Sequence, residues 1–387
     1  MDYIMFTNRI MQELSYKPNI NFLLSGHDLL IRNKIITDVL SKERDNTLVI
    51  IDDIGECGGI DYNTLINYGY QIKNGISGEY CLYNPFQISS LKDISRIRQL
   101  LDIMDYDEKC KGKVISYLNF IRHIELLENG MQNFDLTLNK LEEYCTVISV
   151  EEKIQNLVNK EVIDETQQLM LLAKYSECAS AGSYLEDMFF MLMPYINCHN
   201  FLSINLKQAI VFPIHTLGED DILKILIIKL TQFWIEENNK KDITLLIFDK
   251  GYGNRKSILN LINSITSEIN MHFFSEDIFT MGDEHTISNI ITRFNAKIYS
   301  RHSVMHSAEA IEKICGEIEV IRHQKTITYD NRFKTNSPWD ILFKNNKTES
   351  YTQTTYREKR YYKEMIMNFS PGNGIIEFLG ETSLFKL

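Results

Sequence analysis

Apolar residues in this chain form short continuous runs separated by stretches with helical spacing. Such runs, without polar alternation, are typical of strands buried on both faces of a sheet. They lie at 20–25, 47–52, 208–212, 243–248, 271–274, 296–299 and 374–379. Between the first two runs, 29–44 has apolar residues at helical spacing, which predicts a β-α-β unit with parallel strands. The pattern therefore predicts an α/β fold, a mostly parallel sheet flanked by helices.

The region between 85 and 201 follows a helical pattern instead. Glycine and proline are few there, and helical spacing covers 91–104, 114–127, 136–144, 150–158 and 165–193. We therefore expect three parts: residues 1–86 as the first part of the α/β domain, 87–200 as an inserted all-α domain, and 201–387 as the remainder. Residues 324–357 are rich in Asn, Thr and Lys, which predicts a mobile surface segment.

The amino-acid composition limits which partners and which compartment we expect for this protein. The formal charge of −11 over 387 residues argues against a protein whose whole surface binds DNA. It leaves open a local basic patch, such as 357–363, or a pore-lining loop. Seven cysteines without paired spacing predict a reduced, cytoplasmic protein. A membrane-spanning helix needs about 20 apolar residues, and the apolar stretches are shorter, so we expect no membrane insertion.

The first apolar run ends in a segment placed like a phosphate-binding loop. Such a loop reads G-x-x-x-x-G-K-[S/T] between a strand and a helix. Gly26 takes the first glycine position, while Ile31, Arg32 and Asn33 take those of the second glycine, the lysine and the hydroxyl residue. Ile31 adds a branched side chain where glycine lets the backbone wrap a phosphate. Arg32 keeps a positive charge, but Asn33 lacks the hydroxyl that binds Mg²⁺.

A second acidic signature ends the run at 243–248. Nucleotide hydrolases commonly end this strand with Asp, which holds the magnesium-bound water, and then Glu, which orients the attacking water. Asp249 is present, but Lys250 stands at the Glu position. A protonated lysine cannot act as a base and would repel Mg²⁺. Alone, the segment is typical of a buried strand ending in Asp; combined with Gly26, it indicates an altered nucleotide site.

Three further segments follow in a recognisable order. They are Asp52-Asp53-Ile54-Gly55-Glu56, Gly69-Tyr70 and Tyr83-Asn84-Pro85-Phe86. This order resembles the type IV coupling proteins of bacterial conjugation (TraG/TraD-like), members of the HerA/FtsK group of ring-forming P-loop ATPases. The resemblance continues through Asp249, a helix ending at Gly316 and the closing segment 369–376. It implies a RecA-like P-loop NTPase core with an inserted all-α domain.

Departures from that family suggest a changed function. The family's second loop glycine and loop lysine are replaced by Ile31 and Arg32. The Walker B glutamate is replaced by Lys250, and the sensor glutamine expected after the following strand is absent from 273–277. We therefore hypothesise a catalytically degenerate pseudo-ATPase, a binding or scaffold subunit for a protein partner (an active homologue or a cargo) or for DNA, in a mobile element. No cofactor is expected; ATP and Mg²⁺ would bind only if the degenerate site of Gly26, Arg32, Asn33 and Asp249 still functions. Cys198-His199 lacks a second pair, so no metal site is predicted.

Two other functions stay open at this point. One is a divergent but active oligomeric ATPase motor for DNA or protein transfer, with Arg32 as the phosphate cation and Arg301 as an arginine finger supplied in trans. The other is a nuclease or another enzyme that reuses the fold, for which the sequence shows no clustered acids or histidines.

Overall fold

In the computed structural model, the residues that are described form a protein with a nine-stranded sheet at its centre. The structure describes residues 20–387 except 44, 56–59, 82, 89, 131–133, 136–137, 197–199, 203–204, 206, 218–220, 239–241, 252–254, 266–268, 330–346 and 379. The strands are β1 (Phe22–Ser25), β2 (Thr47–Asp52), β3 (Gln71–Asn74), β4 (Tyr80–Cys81), β5 (Gln87–Ile88), β6 (Phe134–Asp135), β7 (Asn200–Phe201), β8 (Gln208–Phe212), β9 (Ile243–Asp249), β10 (Asn270–Ser275), β11 (Ala296–Tyr299), β12 (Glu317–Tyr329), β13 (Lys347–Lys359), β14 (Asn373–Phe378) and β15 (Glu381–Lys386).

The order of strands across this sheet is β15-β14-β11-β1-β10-β9-β2-β8-β3. Neighbours from β11 to β3 are parallel, while β14 and β15 join antiparallel at one edge. Every residue of β1, β2, β8 and β9 is buried, as expected for parallel strands covered on both faces. The predicted strands are thus confirmed. β3 was not predicted, because its polar residues form a partly exposed edge strand.

Helices cover the sheet and fill the predicted insertion. They are α1 (Leu29–Lys42), α2 (Tyr62–Asn67), α3 (Leu91–Ile103), α4 (Glu108–Asn129), α5 (Leu138–Cys145), α6 (Val147–Asn159), α7 (Glu165–Cys178), α8 (Gly182–Ile196), α9 (Asp221–Glu237), α10 (Lys256–Ser264), α11 (Glu284–Ile291), α12 (Met305–Cys315) and α13 (Lys363–Met367). The helical segment predicted over 165–193 forms two helices, which a 3₁₀ turn at Ala179–Ala181 separates. Where the structure describes the chain, none of these helices combines the length and apolar character needed to cross a bilayer.

One continuous hydrophobic cluster joins the sheet to the helices of the insertion. It includes Val49 and Ile210 of the sheet together with Ile97, Tyr117 and Leu185 of the insertion. A second cluster covers the opposite face, where α1 packs. The helical segment therefore shares a core with the sheet rather than enclosing a separate one.

The segment expected to be mobile, 324–357, lies partly outside the described residues, which omit 330–346. Its described parts belong to β12 and β13, which pair antiparallel from Glu317–Lys359 to Tyr329–Lys347. We call this pair of strands the ribbon. The pattern of apolar runs did not predict it, because polar residues outnumber apolar ones in both strands. Its mobility stays a prediction.

Candidate functional site

The turn after β1 is too short to wrap a phosphate. Helix α1 begins at Leu29, three residues after Gly26, so Ile31, Arg32 and Asn33 all lie in its first turns. The Gly26 N–H donates to the Ser275 carbonyl at 3.0 Å. The next N–H, that of His27, donates to the Arg301 carbonyl at 3.1 Å. Both backbone donors are therefore already bonded within the protein.

Gly26 is required here by its backbone and by crowding. Its φ is +121°, a region that L side chains rarely adopt. A Cβ at this position would lie 2.2 Å from Ser300 Oγ. The glycine identified from the sequence therefore has a structural role: it lets β1 turn into α1 against the loop after β11.

Asp28 caps α1 with a carboxylate. Its Oδ1 accepts the N–H groups of Leu30 and Ile31, each at 3.0 Å, and its Oδ2 accepts the N–H of Gly372 at 2.7 Å. The side chain is buried, with 5% of the residue exposed. A helix N-terminus of this kind favours anions, through its free N–H groups and its dipole. The protein's own carboxylate thus takes the position where a bound phosphate would be stabilised.

Sequence reasoning missed Asp28, although a signal was present. An Asp directly before an amphipathic helical pattern is a standard N-cap signature. Its bond to Gly372 had no such signal, because the two residues are 344 positions apart in the chain.

The other loop residues predicted for the site separate in the structure. Arg32 is buried, with 2% exposed, whereas Asn33 is exposed on α1. Burial lowers the pKa of the Arg32 guanidinium, opposed by the negative charges of Glu276, Asp52 and Asp28. The structure thus places Gly26 and Arg32 at the same end of the sheet, and directs Asn33 to the surface.

The retained Walker B acid is fully buried at the end of β9. Asp249 Oδ1 accepts the Gly251 N–H at 3.0 Å and lies 3.6 Å from Arg255 Nε. Arg255 also contacts Asp53 at 3.1 Å, and Lys224 approaches Asp53 at 3.4 Å. Asp249 is therefore part of an internal charge network. Lys250, the next residue, is exposed.

The protonation of Asp249 reflects this burial. Desolvation raises the pKa of its carboxyl to about 6; the Gly251 N–H and Arg255 oppose the shift, and the charges of Asp53 and Glu276 add to it. Asp53, Arg255, Lys224 and Glu276 were not predicted as site residues. They come from separate segments and meet only when β2, β9 and β10 lie side by side.

A small pocket opens beside the Asp28 cap. Its volume is about 280 Å³, and its lining includes His27, Asp28, Arg32, Glu276, Arg301 and Pro371. His27 Nδ1 lies 3.4 Å from Glu276 Oε1 across its rim. Pockets for small molecules commonly measure about 300–1,000 Å³. The volume of the pocket beside Asp28 therefore falls just below that range, and its lining includes acidic as well as basic side chains.

A buried histidine lies against the end of β1 and is held by two hydrogen bonds. His302 is buried, with Nε2 2.9 Å from Ser25 Oγ and Nδ1 2.9 Å from the Ser300 carbonyl oxygen. Cys198-His199 lies outside the described residues. Among the residues that the structure does describe, no group of three His, Cys, Asp or Glu side chains is arranged to hold a metal ion.

Comparisons with known proteins bear on the fold. Neither a protein-family model nor a curated protein matches the sequence. The structure of VirB4 from Thermoanaerobacter pseudethanolicus matches 95% of this chain and 88% of its own, with 11% identity and a TM-score of 0.53. The bacterial conjugative coupling protein TrwB, in its trigonal form with sulphate, matches 95% of this chain and 85% of its own, with 11% identity and a TM-score of 0.51. This chain has the fold of TrwB and VirB4.

The resemblance to type IV coupling proteins is therefore confirmed at the level of the fold, which is the P-loop NTPase fold. In this coupling-protein fold the turn after β1 and Asp249 at the end of β9 lie at the same sheet edge, separated by β10. The carboxyl edge of parallel strands is where open α/β sheets bind their ligands. Gly26 and Asp249 lie at this edge, Arg32 is buried close to it and Asn33 is exposed on α1; their role in binding a nucleotide stays a prediction.

The buried Asp249 charge leads to a testable prediction on stability. Its folded pKa of about 6 exceeds the ordinary 3.8, so the favourable contribution of the protonated form is complete below pH 3.8 and is lost as pH rises through 6. Above that pH the buried charge costs up to about 3 kcal/mol. Asp249→Asn should therefore raise the free energy of unfolding at pH 7.5 by about 1–2 kcal/mol, after allowance for the lost Arg255 pair.

Urea denaturation at pH 7.5 and pH 4 checks this. The gain should shrink at pH 4, where both side chains are largely neutral. A destabilised variant at pH 7.5 would mean that the Arg255 pair outweighs the desolvation of the carboxylate.

Proposed function

We propose that this chain is a catalytically degenerate relative of the conjugative coupling proteins. It acts as a binding or scaffold subunit for a protein partner or a DNA cargo, and its role does not require ATP hydrolysis. The observation that carries the proposal is the Asp28 carboxylate at the N-terminus of α1, bonded to Leu30, Ile31 and Gly372.

Electrostatics at the turn after β1 support the proposal. A phosphate entering this position would meet the carboxylate of Asp28, with Glu276 at the rim of the same pocket. Two negative groups close to a polyphosphate disfavour binding in a partly buried site. Arg32 supplies one compensating charge, but its guanidinium already lies in the field of Glu276, Asp52 and Asp28.

The hydrolytic residues support the same conclusion. Asp249 is bonded to Gly251 and lies beside Arg255, so binding a magnesium-bound water would require rearrangement of this network. Lys250 carries no carboxylate to orient water. The chain keeps the strands and the core of the fold, but its own side chains fill the position of the nucleotide. This combination supports a role as a scaffold.

Isothermal titration with ATP and Mg²⁺, followed by assays of phosphate release, tests the proposal. We expect no binding heat, no thermal stabilisation and no turnover, with or without added DNA. Arg32→Ala serves as the control for any signal that arises. ATP turnover that Asp249→Ala abolishes would overturn the proposal.

A second candidate function is a divergent, active oligomeric ATPase motor for DNA or protein transfer. One observation favours it: Arg301 is exposed at the rim of the pocket that contains Arg32, so both cations could approach one phosphate group. In that case titration would give binding that is lost in Arg32→Ala, and turnover would appear only in the oligomer.

A further inference from the structure

Two buried carboxylates lie side by side at the carboxyl edge of the sheet. Asp249 ends β9 and Asp53 directly follows β2, and these strands are parallel neighbours that pair as far as Asp52 with Phe248. The Asp53 N–H donates to the Phe248 carbonyl at 3.0 Å, which joins the two strand ends. Asp53 is 1% exposed and Asp249 0% exposed. The fold therefore keeps two acids close together and largely removed from water.

The P-loop NTPase fold implies a magnesium ion at this edge, held through the Walker B aspartate. Mg²⁺ is usually bound by one or two carboxylates and keeps several waters, so Asp249 and Asp53 have the right chemistry. The guanidinium of Arg255, however, lies beside both of them. Its Nη2 is 3.1 Å from Asp53 Oδ2, and its Nε is 3.6 Å from Asp249 Oδ1. The arrangement therefore does not fit Mg²⁺, because a cation of the chain itself lies against both carboxylates.

A second cation completes the charge balance of this pair. Lys224 of α9 places its Nζ 3.4 Å from Asp53 Oδ1. Lys224 and Arg255 together bring two positive charges to the two carboxylates, which is the charge of one divalent ion. In the part of the chain that the structure describes, Asp249 Oδ2 has no hydrogen-bond partner. The two cations thus compensate the charge of the acids, while one carboxylate oxygen stays available to another ligand.

The backbone on both sides holds Arg255 in this position. The Arg255 N–H donates to the Met281 carbonyl at 3.2 Å, and the residue directly precedes α10. On the other side, Gly251 has a φ of +73°, and a Cβ there would lie 2.4 Å from the Asp277 N. The chain after β9 is therefore packed closely against the loop after β10, and the guanidinium extends from a fixed backbone position.

We propose that Arg255 is an internal substitute for the divalent cation at this edge of the sheet, with Lys224 as the second charge. The inference rests on the proposed function, because only a site that no longer needs Mg²⁺ for hydrolysis can keep a guanidinium in its place. Arg255 neutralises Asp53 and Asp249 permanently, without metal or nucleotide. The exclusion of Mg²⁺ then comes from Arg255 and not from Lys250, whose side chain is exposed.

Removal of the guanidinium should convert the two carboxylates into a site for a divalent ion. Mn²⁺ shares the preference of Mg²⁺ for oxygen ligands, and the electron paramagnetic resonance signal of the free ion weakens when it binds. We expect a titration with MnCl₂, without nucleotide, to show no Mn²⁺ bound through Asp249 in the wild type. Arg255→Ala should bind one Mn²⁺ per chain, with an affinity at least about tenfold higher than that of the wild type.

Three further variants separate this site from a general loss of positive charge. Lys250→Ala removes the exposed lysine next to Asp249 and should bind Mn²⁺ no better than the wild type does. Arg255→Lys keeps a cation and should bind Mn²⁺ more weakly than Arg255→Ala. The double variant with Arg255→Ala and Asp249→Asn lacks one carboxylate and should lose the Mn²⁺ that Arg255→Ala gained.

Thermal unfolding keeps the inference testable if Arg255→Ala folds poorly. MnCl₂ should raise the thermal midpoint of this variant, or restore its folding, whereas NaCl at equal ionic strength should not. An Arg255→Ala protein that neither binds Mn²⁺ nor is stabilised by it would overturn the inference and leave the proposed function unaffected. Wild-type protein that binds Mn²⁺ through Asp249 would overturn it as well. The proposed function fails on a different result, which is ATP turnover by the wild type.

Discussion

Asp28→Ala should lower the free energy of unfolding by about 3 kcal/mol. The substitution leaves the N–H groups of Leu30, Ile31 and Gly372 without their acceptor, and a buried unpaired donor costs about 1–3 kcal/mol. Water entering through the adjacent pocket can bond to some of these N–H groups, which reduces the total cost. The loss reaches beyond α1, because the bond to Gly372 also holds the segment that leads into β14. Chemical denaturation at pH 7.5 measures it.

An exposed cap gives the matched control. Asp164 caps α7 in the same way, through the Gln167 N–H, but it is exposed to solvent. Asp164→Ala should cost only about 1 kcal/mol, typical of an ordinary N-cap. Equal losses in the two variants would show that Asp28 is no more than a helix cap.

Asp28→Ser tests separately whether the Asp28 carboxylate takes the place of a bound anion. Serine is a good N-cap without a charge, so the helix keeps an acceptor while the negative group is removed. If Asp28 holds the place of a phosphate, sulfate or inorganic phosphate should raise the thermal midpoint of this variant more than that of the wild type. An unchanged response would mean that the turn after β1 cannot receive an anion even without the carboxylate.

Arg96→Ala should also cost about 3 kcal/mol, by loosening the insertion from the sheet domain. Arg96 is buried on α3, and its guanidinium donates to the Tyr83 hydroxyl at 2.7 Å. It also contacts Glu236 and Glu237 of α9 at 3.3 and 2.7 Å. Removing one member of a buried ion pair costs about 3–5 kcal/mol, and the partial exposure of the two glutamates reduces this.

The neighbouring Arg98 provides the control on the same helix. It is exposed and pairs with Glu108 at 3.0 Å, so Arg98→Ala should change stability by less than about 1 kcal/mol. Hydrogen exchange localises the Arg96 effect, and protection should fall first in α3 and at the Tyr83 segment. A uniform loss of protection across the sheet would contradict the prediction that Arg96 holds α3 locally against α9 and Tyr83.

Arg96 also explains part of the sequence resemblance. Tyr83 receives the Arg96 bond, Asn84 Oδ1 accepts the Phe86 N–H at 2.9 Å, and Phe86 packs on Phe189 of α8 with ring centres 5.2 Å apart. The Tyr83-Asn84-Pro85-Phe86 segment therefore fixes the chain where it leaves the sheet for the helices. Its role in this molecule is structural, at the join between the two parts.

From the sequence alone we could predict the α/β class, the strands of the parallel sheet, the run of helices between them, and the positions of Gly26 and Asp249 at strand ends. These features are local, since each depends on apolar periodicity or on a residue type beside a run. The edge strand β3 and the ribbon were not predicted, because polar residues outnumber apolar ones in both and neither forms a continuous apolar run.

The contacts between the side chains of the site depend on the fold and could not be predicted from local pattern. Asp28 meets Gly372, and Asp249 meets Arg255 beside Asp53, because strands distant in sequence lie next to each other in the sheet. The same helix directs Arg32 inward and Asn33 outward, because α1 rotates neighbouring residues to different faces. Local pattern shows which residues a site could use, but burial and long-range contacts determine which of them face one another.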